Sequence, residues 1–369
     1  MFLSKIELNT IELEVLKGNY EKLDSGTQFI NPQHAFSNDI DLFGKGSFFQ
    51  YLNRTSTNEG AVLLANTLTE NNIDSIENKQ KAVQDLAEKP KWRQHFSALA
   101  NLVNVDANSS IILNFISSYK SQFSKLATKL PLVFSILSFL LIISASFKLV
   151  SVNLVVTWFF IGLGVTAFYI KRTQNIYTSA GTSKDLFKQY YQLLEHIENE
   201  TFSSSILVSK QKDIQTEKEK ASAIFKKFSK ILDAFDQRNN LFVVLLGNGF
   251  FLWDLRNAVN VEKWIEQYKH TVKLWFDSIA FFDAQNSLAN LCFNHQNYSF
   301  PKITNSTAII KATELGHPLL KVTKRVDNDF SINSKEFFIV TGANMAGKST
   351  FLRTVSLSIV MANIGLPVC

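Results

Sequence analysis

The sequence predicts a mainly α-helical chain, interrupted by a hairpin of two membrane-spanning helices and ending in the first, incomplete part of an α/β domain. Three observations predict it. Residues 130–147 and 149–170 carry no charge; apolar residues recur every three or four positions on either side of them; and an apolar run, a glycine-framed loop and a helical pattern follow one another near the C-terminal end.

Residues 1–39 mix charges with turn formers at Asp24-Ser25-Gly26 and Asn31-Pro32 and read as a leader or connector. From Met1 to Tyr20 glutamate and lysine are frequent and no apolar segment occurs, so no cleavable signal peptide is predicted. Residues 40–128 read as the first part of a helical body, with Ile76, Lys79, Gln80, Val83 and Leu86 spaced along one face.

The hairpin is assigned to residues 129–172. As one helix its two runs would measure roughly 60 Å, twice the hydrocarbon thickness of a bilayer, whereas each half matches one span. Lys148, followed by Ser151 and Asn153, marks the break. Lys125 and Lys129 precede the first run, and Lys171 and Arg172 follow the second. An even number of spans puts both flanks on one side, and these positive charges place it, with the soluble parts, in the cytoplasm. Trp158 and Tyr169 lie in the second run, Tyr169 at an interfacial position. The competing reading is a buried core hairpin, but soluble helices seldom run twenty residues without a charge.

Residues 173–300 read as the second part of the helical body. Leu186, Phe187, Tyr190, Leu193, Leu194 and Ile197 form an apolar stripe behind Ser183, a candidate N-cap. Residues 216–292 continue as helices with Trp253, Trp264, Trp275, Phe276, Phe281 and Phe282, aromatics at helical spacing, which is a core pattern rather than a base-stacking one. The apolar run from Leu241 to Trp253 is too short to span and holds Gly247, Asn248 and Gly249; it is expected to pack inside the helical body. Pro301 breaks the pattern and Ala308 to Leu315 alternates toward a strand, so the nucleotide-binding portion is assigned to 301–369.

The 369 residues carry a formal charge of +6, a mild excess that permits contact with phosphates or an anionic membrane. Lysines at 210, 212, 218, 220, 226, 227 and 230 are interleaved with Asp213, Glu217, Glu219 and Asp233, the pattern of a solvated helix face. Cys292 and Cys369 have no paired spacing and no histidine at metal-ligand distance, which excludes a disulfide framework and a zinc site.

Phe337-Phe338-Ile339-Val340 reads as a strand running into Thr341-Gly342-Ala343-Asn344-Met345-Ala346-Gly347-Lys348-Ser349-Thr350, which matches G-x-x-x-x-G-K-[ST], the phosphate-binding loop of a P-loop NTPase. Gly342 and Gly347 let backbone N–H groups turn toward phosphates, Lys348 supplies a point charge, and the Ser349 hydroxyl is the candidate ligand for Mg²⁺. Residues 351–361 read as a helix whose N-terminus adds its dipole to the anion site. ATP and Mg²⁺ are the expected cofactors.

The wording of this loop resembles the T-G-P-N-M-[AG]-G-K-S-T signature of the MutS family of DNA mismatch repair ATPases, with Ala343 in place of proline. Gly316-His317-Pro318 resembles the family's R-H-P element, with glycine in place of arginine, and Asp41 to Thr55 resembles the start of the MutS lever, a short helix followed by a threonine-containing turn. The resemblance implies that residues 342–350 surround the nucleotide phosphates, Asn344 near the γ-phosphate, and that His317 lies near the base. It also implies a homodimer whose subunits complete each other's ATP sites, and DNA as a partner. The family's Walker B acidic pair lies beyond its P-loop helix, and this sequence reaches only Cys369, so it reads as a fragment of a longer protein or the product of a truncated gene. No Phe-x-Glu wedge for a mispaired base occurs in it. The expected function is a membrane-anchored, MutS-like ATP-binding protein in which nucleotide state moves a helical lever. The alternatives are a membrane-tethered scaffold whose nucleotide domain hydrolyses nothing, and a soluble mismatch sensor.

Overall fold

The computed structural model describes all residues except 103–108, 182, 216–218, 305–307 and 344–345. It is mainly helical with little sheet. Two compact units are formed, residues 1–102, 199–213 and 277–369 in the first, and 103–198 and 214–276 in the second.

In the first unit, α1 (Phe2–Leu16), α2 (Phe48–Leu52), α3 (Asn58–Glu70), α4 (Ile76–Ala87), α5 (Pro90–Ala100) and α10 (Ser205–Asp213) precede the C-terminal part of α14 (Val272–Asn294), a two-stranded sheet and α15 (Lys348–Asn363). Its core joins Leu42, Phe48, Phe49, Leu64, Leu68, Val83 and Leu288 to Leu357, Val360 and Met361 of α15. The expected face of α4 is present: Ile76, Val83 and Leu86 are buried, and the Lys79 ammonium reaches the Asn363 carbonyl at the end of α15, 3.0 Å away.

The sheet pairs β1 (Ala308–Leu315) with β2 (Asn328–Asn333) antiparallel, Ala312 opposite Phe330. The expected strand at 337–340 is not formed. That segment is irregular, with Phe337, Phe338 and Ile339 exposed, because an apolar strand is held by neighbours on its edges and faces, and no described strand pairs with it.

The second unit contains α6 (Ser109–Ser118), α7 (Lys125–Ser146), α8 (Val152–Gly181), α9 (Lys184–Glu198), α11 (Ala221–Asp236), α12 (Asn248–Phe251), α13 (Trp253–Tyr268) and the start of α14. The α9 stripe is wholly buried, and Phe187 meets Phe225, Phe228 and Trp264 edge to face while Phe228 stacks on Trp264 at 3.8 Å. Ser183 stands just before α9, but its hydroxyl donates back to the Ala180 carbonyl.

Helices α7 and α8 are long and apolar enough to cross a membrane, and only 22% and 11% of their most apolar windows are buried. The chain turns between them at Lys148, which adopts a left-handed φ of +56° while the Leu149 amide closes onto the Ser144 carbonyl. Phe134 stacks on Trp158 at 4.5 Å, and the Trp158 indole donates to the buried Ser138 hydroxyl at 2.7 Å. Helix α8 continues to Gly181, beyond the expected end of the hairpin at 172.

The run from Leu241 to Trp253 departs from expectation. Leu241, Phe242, Leu245 and Leu246 are exposed rather than packed into the helical core, and the segment forms a π-helical turn, Val243–Gly247, followed by α12. A short apolar run specifies burial from water without specifying what covers it.

Candidate functional site

Helix α15 opens at Gly347, whose φ of +83° is left-handed, a conformation that glycine adopts without strain. Gly342 also has positive φ. The first intrahelical bond runs from the Phe351 amide to the Gly347 carbonyl at 2.9 Å, so the Lys348, Ser349 and Thr350 amides precede any intrahelical acceptor. Lys348 folds back over the loop, its ammonium donating to the Gly342 carbonyl at 2.7 Å and the Ala343 carbonyl at 2.6 Å. Gly342, Ala343, Ala346, Gly347, Ser349 and Thr350 are exposed around it. The expected site residues Asn344 and Met345 lie outside the described residues. What the loop gathers is one ammonium, two side-chain hydroxyls and the positive end of a helix of 16 residues, a set of groups suited to an anion.

The outer turn of α15 is tied to the start of the helical body. The Arg353 guanidinium pairs with Asp41 at 2.5 Å and donates to the Asp39 carbonyl at 3.2 Å. Asp41 sits at a left-handed φ of +50°, just before Ser47 caps α2 by accepting from the Gln50 amide. Neither Arg353 nor Asp41 was singled out for this pairing by the sequence; an arginine one turn past the loop lysine is the only local signal for it.

His317 is buried, and its Nδ1 accepts from the Leu319 amide at 3.2 Å. Burial lowers its pKa, the nearby Arg353 cation lowers it further, and Asp41 opposes both. Its described hydrogen bonds stay within residues 317–320, and none joins it to the loop at 342–350. Gly316 is explained by its surroundings: a Cβ there would collide with the Arg325 guanidinium and with Asp327, which pair at 2.6 Å, so this arrangement has no room for the arginine of the resembled motif.

The short helix and threonine turn expected at 41–55 are α2 and the approach to α3. Thr57 caps α3 by accepting from the Gly60 amide at 3.0 Å. Asp283 of α14, fully buried, accepts from the Ser56 amide, from the Thr57 amide at 2.8 Å and from the Thr57 hydroxyl at 2.7 Å. Gly60 makes this possible, since a Cβ would occupy the place of the carboxylate. Among the described residues no group of three or more histidine, cysteine, aspartate or glutamate side chains could hold a metal ion.

No family model matches the chain. Over 143 residues, 37% of this chain, it is 32% identical to the DNA mismatch repair protein MutS of Finegoldia magna, covering 15% of that protein. It is 40% identical over 88 residues to MutS of Methanococcoides burtonii, covering 22% of this chain and 10% of that one. It is also 34% identical over 104 residues to MutS of Petrotoga mobilis, covering 27% and 13%. The matched stretches thus span 15% or less of the length of these relatives. Over part of its length, the chain is related to the MutS proteins.

Proposed function

We propose that this chain is a membrane-anchored, MutS-like protein that binds ATP at the loop 342–350 and couples nucleotide state to its helical body. The observation that carries the reading is the double attachment of α15. Its first turn presents Lys348, Ser349 and Thr350 to solvent, while its buried face, Leu357, Val360 and Met361, shares a core with residues 40–68 of the lever-like segment. A phosphate that drew the Lys348 ammonium from the Gly342 and Ala343 carbonyls would therefore act on a helix already packed against that segment.

The residues present fit a triphosphate: an ammonium, helix-terminal amides and exposed hydroxyls converge on one loop. Mg²⁺ would be held by the Ser349 hydroxyl together with phosphate oxygens, and when bound it neutralises charge on the terminal phosphates. Anchoring is supported by the outward apolar faces of α7 and α8 and by Lys125, Lys129, Lys171 and Arg172 at their shared end. DNA as a partner is supported by the relation to proteins named for DNA mismatch repair, and pairing of two copies by the resemblance of the loop to the MutS signature.

The test is equilibrium binding of a fluorescent, non-hydrolysable ATP analogue with Mg²⁺ to the detergent-solubilised chain and to Lys348→Ala. Saturable binding weakened in the variant by roughly 30-fold is the expected result; equal binding by both removes the loop from the account. The exposed, unpaired segment at 337–340 favours a second reading, a membrane-tethered scaffold, and absence of saturable binding by the unsubstituted chain would select it.

A further inference from the structure

The apolar segment that departs from expectation lies against the two candidate spans, in the same unit. We propose that residues 241–252 form a third membrane-embedded element, a re-entrant segment that enters the bilayer beside the hairpin and leaves on the side it entered. The inference rests on the membrane reading of α7 and α8, and it commits to bilayer hydrocarbon as what covers Leu241, Phe242, Leu245 and Leu246.

Four observations carry it. Residues 239–253 contain no charge, while Asp236 and Arg238 precede them and Asp254 and Arg256 follow. The two ends are drawn together, because Arg238 and Asp254 form an ion pair at 3.3 Å, with the Arg238 guanidinium also 4.8 Å from the Tyr177 ring centre. The tip of the segment touches both spans. Gly249 and Gly162 of α8 approach so closely that a Cβ on Gly162 would strike the Gly249 carbonyl, Phe250 packs on Phe159 at 5.2 Å, and the Ser135 hydroxyl of α7, which donates to the Pro131 carbonyl, lies 3.4 Å from the Phe251 carbonyl. Such close glycine-to-glycine backbone approach is how helices associate in lipid, where apolar side chains gain nothing by meeting one another.

The fourth observation is depth. Gly162 lies ten residues into α8, about 15 Å from its start at 1.5 Å per residue, which is half the hydrocarbon thickness of about 30 Å. A segment resting on Gly162 is therefore at the level of the hydrocarbon and not at its rim. Irregular backbone survives at that depth only where its polar groups are satisfied by protein, and here the π-helical turn and α12 bond internally and the Asn248 side chain accepts from the Asp254 amide at 2.9 Å.

The experiment places a nitroxide on single cysteines in the full chain, with Cys292→Ser and Cys369→Ser removing background thiols, reconstituted in phosphatidylcholine vesicles. Labels at Leu246→Cys and Phe242→Cys are compared with Leu140→Cys on α7 and Glu77→Cys on the soluble α4, by collision with oxygen and with a water-soluble nickel chelate. The expected ratio of oxygen to nickel accessibility at 246 and 242 matches that at 140 and exceeds that at 77 by at least about tenfold, since a polar chelate is excluded from hydrocarbon. Nickel access at 246 and 242 with protection at 140 overturns the re-entrant segment and leaves the hairpin. Protection from both reagents there also overturns it, in favour of a protein cover. Nickel access at 140 itself removes the membrane reading, and the re-entrant segment falls with it.

Discussion

Helices α3 and α15 belong to the same unit and each has a glycine at or near its start, yet their first turns face opposite partners. At α3 the donors are met from inside: the Thr57 hydroxyl accepts from the Gly60 amide, and Asp283 takes the Ser56 and Thr57 amides and the Thr57 hydroxyl. At α15 no side chain caps the helix, the first-turn residues are open to solvent, and the nearest ionic group is the Lys348 cation held by two carbonyls. One physical requirement, negative charge at a helix N-terminus, is met by a carboxylate of the chain in one place; in the other the first turn is open, and on the proposed function a dissolved anion meets it. Gly60 and Gly347 illustrate it in miniature. The first is glycine because a carboxylate fills the space of its side chain, the second because its backbone is left-handed and its surroundings are open.

The comparison breaks most severely at Asp283. Replacing it with alanine leaves two partly buried amides and a hydroxyl without their acceptor, and each such donor costs about 1 kcal/mol or more, so Asp283→Ala should lower unfolding free energy by about 3 kcal/mol in a urea titration. A loss under 1 kcal/mol would mean that the first turn of α3 finds another acceptor. The same carboxyl gives a signed pH effect. Burial raises its pKa to about 6, against the opposing bonds from Thr57 and Ser56. With an unfolded value near 4, the folded state holds the proton more tightly. Stability from this group is then full below about pH 4 and falls as pH rises to about 6, by roughly 1 kcal/mol per pH unit. Asp283→Asn should remove that slope; an unchanged slope would assign it to other carboxyls.

At α15, on the proposed function, the corresponding charge acts on a ligand rather than on folding. Lys348→Ala should leave the unfolding free energy within about 0.5 kcal/mol of the unsubstituted chain while weakening nucleotide binding by about 2 kcal/mol, roughly 30-fold, the scale of a charge-assisted contact. Isothermal titration and denaturation on the same preparation separate the two effects. A large stability loss with intact binding would make Lys348 a structural partner of its loop carbonyls and would erase the difference between the two helix starts.

Much of this was legible in the sequence, and what was not has a common cause. The hairpin and the α9 stripe are properties of consecutive residues, charge absence in one and period in the other, so they could be read without knowing any contact. At 342–350 the spacing of glycine, lysine and serine pointed to a turn before a helix, and the structure has the left-handed Gly347 there at the start of α15. Asp283 was invisible, since it serves a turn 226 residues away, and Arg353 meets the Asp39 carbonyl across 314 residues. The strand expected at 337–340 did not form, and of the core segment expected at 241–253 only Gly247 to Gly249 and Leu252 are buried: apolar runs state a need for cover, and only the tertiary structure states what supplies it.

The smallest expected effect sharpens the comparison best, because it sets equal costs against unequal consequences. Thr57→Ala deletes a cap and should cost about 1 kcal/mol of stability. Gly347→Ala forces an L residue to φ near +83° and should cost about 1–2 kcal/mol, with no collision to add to it. In stability the two variants should be nearly indistinguishable. In nucleotide titrations they should part: Thr57→Ala should bind as the unsubstituted chain does, because its helix start is closed by Asp283. Gly347→Ala should bind more weakly, because relaxing its backbone toward negative φ turns the Lys348 and Ser349 amides away from the direction the loop gives them. Equal binding by the two would show that the amides at the start of α15 contribute nothing and that Lys348 alone recognises the anion.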